Sequence, residues 1–439
     1  MTETKTIQMR YGKKGLKLNV PVLATILEGE DVSALPDPNS SVMEALKKPI
    51  GTISLSELII AKKAKSVAIT ISDITRTVPN KQFLPVMLNV LNAAGVSDSH
   101  IVIVIGTGMH RPSTDEERKI LVGTEILKRI EVIDHKADAP ETLTKICDEP
   151  RISVCRRFAE ADFRIVTGFI EPHFMAGFSG GRKGVCPALV NLETLQRFHG
   201  YRTLANPAAN TGNLEHNPCH EIALEVAKRV GVDFLFNVAI TRNHEMAGIY
   251  CGDLEKAHQI GCQQVMKWTS AYFDDHFDLV ITSAGGFPLD QTFYQAVKGI
   301  CAALPALREG TTLLQVSECS EGIGSRAYTN LMLSYNNDWQ RFLKGIETGN
   351  TRTRLDQWQY QMQARVLTRI GLDKLWFVSD GIPNEEQERL SVKPIFGPGN
   401  AEQRIQQVVD EFMAENPNAK VAVIPDGPYT MLCQNRLHQ

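Results

Sequence analysis

Short apolar runs, each ending abruptly in a polar or glycine-rich cluster, constrain this chain more than any other feature. Val67–Ile71 (VAITI) runs into Ser-Asp, Ile101–Ile105 (IVIVI) into Gly106-Thr107-Gly108, and Phe163–Thr167 (FRIVT) into a long Gly-rich segment. Phe234–Ile240 (FLFNVAI) is a further run of the same kind. Between them lie helical patterns: Leu84–Ala94 has helical periodicity and stops near Gly95. Ser113-Thr114-Asp115-Glu116-Glu117 reads as a helix start with a cap and an acidic first turn. After about residue 266 the alternation restarts with Phe277–Thr282, a helix over Asp290–Leu304, and strands at Thr311–Val316, Leu375–Val378 and Lys420–Ile424. Strand, loop and helix in this order predict α/β architecture with mainly parallel sheets. At 439 residues the chain exceeds one ordinary core, so two α/β domains are expected, residues 1–266 and 267–439.

Parallel sheets collect their chemistry on the loops beyond the strand C-termini. The unusual polar clusters, Asp73–Arg76, Gly106–Arg111, Gly168–Gly184 and Ala284–Gln291, each follow an apolar run. Bulk composition narrows the partners. A net charge of −3 gives no reason to expect nucleic acid or an anionic membrane. No run of about 18 apolar residues predicts a membrane span, and MTETKTIQMRYGKKG lacks the apolar core of a secretory signal. Nine scattered cysteines without a CxxC pair fit reduced thiols, so a cytoplasmic location is expected.

The densest cluster is GFIEPHFMAGFSGGRKGVCPALVNLETLQRFH, residues 168–199. Gly177, Gly180, Gly181 and Gly184 allow close backbone approach and positive φ, while Arg182 and Lys183 supply charge or an amine nucleophile. The loop reads as a holder for an anionic or covalently attached group. His173 and His199 bracket it. Pro172 biases Glu171 toward an extended conformation, projecting His173 in a fixed direction. His110, beyond the Gly-x-Gly turn, suits general acid/base work near neutral pH and could pair with His173. Each of these imidazoles has an alternative reading as a capping or packed core side chain. His216 and His220 read as structural, because Pro218 stands between them. Arg76 carries a fork suited to a carboxylate or phosphate, with Asp73 to orient it, against the alternative of a surface salt bridge. Gln291, Tyr294, Gln295 and Lys298 share one face at helical spacing, too polar for a core stripe. Trp358 reads either as a pocket cover or as packing.

Taken in order, the DxTR turn, GTGxHR, the PH…GFSGGRK loop, the later His199 and YQAVKG resemble the nickel-dependent lactate racemase family of 2-hydroxyacid racemases and epimerases. The resemblance runs from Asp73 through Trp358. It implies two α/β domains with the active site in the cleft between them. It also implies a nickel-pincer nucleotide, a pyridinium-3,5-bisthiocarboxylic acid mononucleotide tethered to Lys183, with His199 as the protein ligand to nickel. On the same ground, His110 and His173 would be the acid/base pair. Asp73, Thr75, Gly180 and Gly181 would contact the cofactor. Arg76, Tyr294, Gln295, Lys298 and Trp358 would line the substrate, a small 2-hydroxyacid. Cofactor-synthesis proteins would be the implied partners. The C2 hydrogen of such an acid is poorly acidic beside a carboxylate, so hydride removal after hydroxyl deprotonation is the easier route. Two other readings stand beside it: a cofactor-free anion-binding protein, and an NAD-dependent 2-hydroxyacid dehydrogenase, which the missing GxGxxG disfavours.

Overall fold

The computed structural model describes residues 3–76, 78–348 and 353–435. The chain forms two units, one of residues 31–199 and 206–268, the other of residues 1–30, 200–205 and 269–439. Each is built on its own six-stranded sheet.

In the first unit the strand order is Met246–Gly252, Phe234–Ile240, Phe163–Phe169, Val67–Ser72, Ile101–Gly106 and Glu131–Asp134. All neighbours are parallel except the pair of Phe234–Ile240 with Met246–Gly252. Side chains alternate across a strand, so Val67, Ile69 and Ile71 join one buried cluster with Ile101, Ile103, Ile105, Phe163 and Ile165. Helices close that face through Val42, Leu46, Leu55, Ile59, Phe83, Met87 and Leu91. The helix expected from Leu84 begins earlier and spans Asn80–Ala93, with Pro85 inside it. Thr114 caps Asp115–Val122 reciprocally with Glu117.

The strand order reverses at Val67–Ser72. Ile101–Gly106, next in the sheet on one side, pairs Ser72 with Gly106, while Phe163–Phe169 lies on the other side, pairing Val166 with Thr70. In an open parallel sheet a crevice opens at the strand C-termini where the order reverses. Asp73, the Gly106–His110 turn and the Glu171–Lys183 segment all leave from this point.

The second unit orders its strands Lys393–Pro394, Leu375–Val378, Thr312–Val316, Leu279–Ser283, Val421–Ile424 and Thr25–Ile26, all parallel. The first 30 residues therefore belong here and not with the first unit, unlike the contiguous 1–266 domain expected. The reason is burial. The hairpin Thr4–Met9 with Leu16–Pro21 places Met9, Leu16, Leu18 and Val20 in the core of Leu279, Ile281, Val316, Ile405 and Val409. Among the described residues no helix is long and apolar enough to cross a membrane.

Candidate active site

Asp73 follows the central strand directly and is 6% exposed. The backbone N–H and hydroxyl of Thr75 donate to its Oδ1 at 3.2 and 2.6 Å, a local turn that fixes the carboxylate. On the next strand, Gly108 takes φ +57° and donates to Ala188 O, and the turn closes with His110 N donating to Thr107 O at 2.9 Å. That places His110 Nδ1 2.5 Å from Asp73 Oδ2. Burial pushes the Asp73 carboxyl up, but the hydrogen bonds from His110 and Thr75 and the Arg76 charge outweigh it, leaving it below its ordinary value. With its Nδ1–H donated to a carboxylate, the neutral His110 ring carries its lone pair on Nε2, the arrangement of a general base.

His173 sits in the tight hairpin Pro172–His173 with Gly177–Phe178. Met175 N and Ala176 N both donate to its Nδ1 at 3.2 Å, so the ring proton belongs on Nε2. Lys183 Nζ lies 2.8 Å from that Nε2 and 5.8 Å from the Phe198 ring centroid.

The glycines of this loop serve the protein's own packing. Gly180 (φ +72°) and Gly181 (φ +54°), expected to contact a cofactor, are hemmed in by protein atoms. A Cβ on Gly180 would meet Asn237 Oδ1 at 2.6 Å, and one on Gly181 the His258 ring at 2.6 Å. Gly181 N donates to Asn237 Oδ1 at 2.7 Å. Arg182, expected as a charge offered to a ligand, is instead 1% exposed. Its guanidinium donates to Ala176 O at 2.6 Å and meets His258 Nε2 at 3.0 Å, and burial lowers its pKa to about 10. The loop is thus clamped from below by Asn237, His258 and Arg182, which leaves Lys183 as its half-buried functional side chain.

His199 follows the helix Leu192–Phe198. Its Nδ1 is wholly covered and its ring stands edge-on to Phe198, 4.7 Å between centroids. Burial first, then the nearby charges of Lys183 and His110, push its pKa down to about 3. The imidazole is therefore neutral, the state that binds metals. The described residues hold no group of three or more His, Cys, Asp or Glu side chains that could bind a metal alone. A lone neutral imidazole beside an amine suits a metal that arrives with most of its coordination supplied by a tethered organic group. The residues present fit such a cofactor.

Arg76, expected at the substrate, is engaged by Glu171, Nη1 to Oε1 at 2.8 Å. His220 is in the first turn of the helix Pro218–Val230 while His216 precedes its Asn217 cap, so the two share no helical face.

The remaining candidates lie on the second unit. A 3₁₀ turn, Leu289–Gln291, precedes the helix Phe293–Ala302, which Thr292 caps. Gln291 therefore leaves the expected polar face, and its side chain donates to Pro288 O. Tyr294, Gln295 and Lys298 remain on the helix. Trp358 Nε1 donates to Tyr294 Oη at 2.9 Å, and Gln359 Nε2 to Tyr294 O at 2.6 Å. Gln295 Oε1 is buried without a hydrogen-bond donor.

Sequence reasoning passed over Asn237, His258 and Glu171 as working residues. Asn237 was visible as the one polar break in FLFNVAI, and Glu171 as the acid two residues before His173. His258 had no signal, since it lies on a remote helix, Leu254–Thr269.

Comparison with known proteins shows the family. Residues 11–212 match the lactate racemase N-terminal domain and residues 274–431 the lactate racemase C-terminal domain. The chain is 32% identical over 428 residues to the lactate racemase of Thermoanaerobacterium thermosaccharolyticum, covering 96% of this chain and 97% of that one. It is 34% identical over 395 residues to the lactate racemase of Lactiplantibacillus plantarum, covering 88% and 89%. The structure of the Thermoanaerobacterium apoprotein superposes with a TM-score of 0.87 at 30% identity, covering 98% of this chain and all of that one. A Thermotoga maritima protein shares the fold at a TM-score of 0.67 and 18% identity, over 93% of this chain. The chain belongs to the lactate racemase family.

Proposed function

We propose that this chain racemises lactate or a closely related 2-hydroxyacid, using a nickel-pincer nucleotide attached to Lys183 and ligated through His199. Other enzymes would have to synthesise that nucleotide. When bound, the cofactor supplies a hydride acceptor and donor. The chain's own groups do the rest. His110 Nε2 takes the substrate hydroxyl proton, and Asp73 holds the ring and stabilises the imidazolium that results. His173, whose Nδ1 is occupied by two backbone donors, presents Nε2–H and serves as the acid on its side of the substrate. Lys298, Gln295 and Arg76 are assigned to the substrate carboxylate and neighbouring oxygens, and Trp358 Nε1–H holds the hydroxyl of Tyr294, which precedes Gln295 on the same helix.

The observation that carries this reading is the His110–Asp73 pair on the strand-end rim that also presents Lys183. The test is racemisation of C2-deuterated lactate in ordinary water by protein loaded with nickel cofactor. Deuterium retained at C2 of the inverted product supports hydride transfer. Deuterium washed out to solvent would overturn it in favour of proton abstraction, and no inversion would overturn the racemase assignment itself.

A further inference from the structure

We infer that Gln361 is a positioning residue for His199: it fixes the short helix into which the His199 backbone runs, and so aims the imidazole. For what that ring holds, the inference rests on the nickel reading above, to which it adds a residue.

His199 stands at a joint. It caps the end of the helix Leu192–Phe198, its N–H donating to Leu195 O at 3.0 Å. The helix Tyr201–Ala205 begins two residues later, with Leu204 N donating back to Gly200 O at 3.1 Å. The two helices belong to different units. Residues 31–199 are part of the first, whereas residues 200–205 are part of the second. Each is held by burial, one through Leu195 and Phe198, the other through Leu204. Gly200 alone separates His199 from Tyr201. The His199 Cα is therefore strung between two anchored helices, and a displacement of the shorter one turns the ring.

A buried amide grips that shorter helix. Gln361 lies on the helix Gln357–Ile370 and is 2% exposed. Its Nε2 donates to Tyr201 O at 3.1 Å, a bond made inside the second unit. The bond settles which end of the amide is nitrogen, and it leaves Oε1 buried without a donor. Burying an amide with half its capacity unmet is unfavourable, and a methionine or leucine would fill the space without that cost. What an apolar side chain would not do is hold a carbonyl two residues from His199.

Neighbouring positions on the same helix do the equivalent for the residues assigned to the substrate. Trp358 Nε1 donates to Tyr294 Oη at 2.9 Å and Gln359 Nε2 to Tyr294 O at 2.6 Å. One helix thus grips two segments, the one that carries Tyr294, Gln295 and Lys298 and the one that His199 runs into. Groups that orient a metal ligand weigh on metal affinity nearly as much as the ligand itself. Gln363 supplies the contrast. It is fully buried on the same helix with its own Oε1 lacking a donor, but its Nε2 donates to Leu390 O and Ser391 O at 2.8 and 3.0 Å, and not to the His199 segment.

The experiment compares the full-length chain with Gln361→Met, which keeps the length and bulk of the side chain but has no N–H, and with Gln363→Met as the matched control. In the cofactor-free chain, isotopically labelled histidine rings report each imidazole by NMR, and the His199 signal is the one that His199→Ala removes. Gln361→Met is expected to shift or broaden that signal while those of His135 and His258, both buried in the first unit, stay in place. Gln363→Met is expected to move none of the three. In the cofactor-loaded chain, Gln361→Met is expected to release nickel to a chelator about tenfold faster or more, with the nucleotide still on Lys183. Gln361→Asn, an amide one methylene shorter, is expected to do the same and stands in if the methionine variant fails to fold. A His199 signal that neither Gln361 substitution moves, or that Gln363→Met moves equally, would overturn the inference. A His199 signal that moves as expected in a chain that never takes up nickel sinks the proposed function and leaves the inference standing. Nickel held normally by Gln361→Met with its His199 signal unmoved does the reverse.

Discussion

His110 Nδ1 lies 2.5 Å from Asp73 Oδ2, tying together the loops that leave two adjacent parallel strands. The carboxylate can only accept, so it selects the His110 tautomer with its lone pair on Nε2. Asp73→Asn keeps the shape but offers an amide that can donate, which permits the wrong tautomer. Turnover is expected to fall by about 10³-fold or more, with KM little changed. Initial racemisation rates on folded, cofactor-loaded protein decide it, and a loss smaller than about tenfold would remove His110 from the base role.

His199 is expected to govern nickel and not attachment. In His199→Ala the nucleotide mass on the Lys183 peptide should persist while the nickel-to-protein ratio falls well below that of the unsubstituted chain. Intact-mass and elemental analysis of one preparation separate the two. Full nickel retention would show that the neutral imidazole beside Phe198 is a packing residue.

Much of this was legible in the sequence because the signals are local. Apolar runs such as Ile101–Gly106 announce strands, and parallel-sheet logic sends chemistry to the loops after them, which is where Asp73, His110 and His173 stand. What was not legible depends on partners far away in sequence. The hairpin of residues 4–21 looks like any amphipathic stretch until Val421–Ile424 pairs with Thr25–Ile26 beside it. The loop glycines look like a ligand cradle because nothing local shows that Asn237 and His258 already fill the space. Arg76 reads as a free fork because Glu171, its partner, is 95 residues on.

Those glycines give a stability test. Gly181 and Gly231 both hold positive φ, +54° and +79°, but a Cβ on Gly181 would strike the His258 ring while one on Gly231 meets nothing within 4 Å. Gly231→Ala is expected to cost about 1 kcal/mol, the strain alone. Gly181→Ala adds overpacking against a fully enclosed ring and is expected to cost about 3 kcal/mol or more. Urea unfolding midpoints measure both, and equal costs would mean that the loop moves aside freely.

The Arg76–Glu171 pair separates two roles for Arg76. If the guanidinium only braces Glu171, then Glu171→Gln and Arg76→Ala should change kinetics equally, and a double-mutant cycle should show them fully coupled. If it also holds the substrate carboxylate, Arg76→Ala is expected to raise KM about tenfold or more, with Glu171→Gln much milder. Equal KM values in the two variants would withdraw Arg76 from the substrate.

Acid should weaken the first unit before any carboxylate titrates. Burial pushes His135 down to about 4 and His199 to about 3, and drives His258 well below its ordinary value of about 6.5. His135 and His258 are 3% and 4% exposed. The unfolded chain binds a proton at each from about pH 6.5 downward, whereas the folded chain does not until near its depressed value. Their stabilising contribution is therefore complete above about pH 6.5 and is lost as pH falls toward about 4, at up to about 1.4 kcal/mol per pH unit for each fully buried ring. Asp73 has the opposite chemistry, a depressed carboxyl whose contribution is lost only below its ordinary value of about 3.9, so a loss already seen above about pH 4.5 belongs to the rings and not to Asp73. Urea midpoints should fall steadily between about pH 6.5 and about pH 4.5. His135→Gln keeps a donor for Val190 O, which His135 Nε2 meets at 3.0 Å, and removes one titration. Its profile should be shallower by one group's share. A flat profile, or a variant parallel to the unsubstituted chain, would mean that these rings are hydrated and protonated in the folded protein.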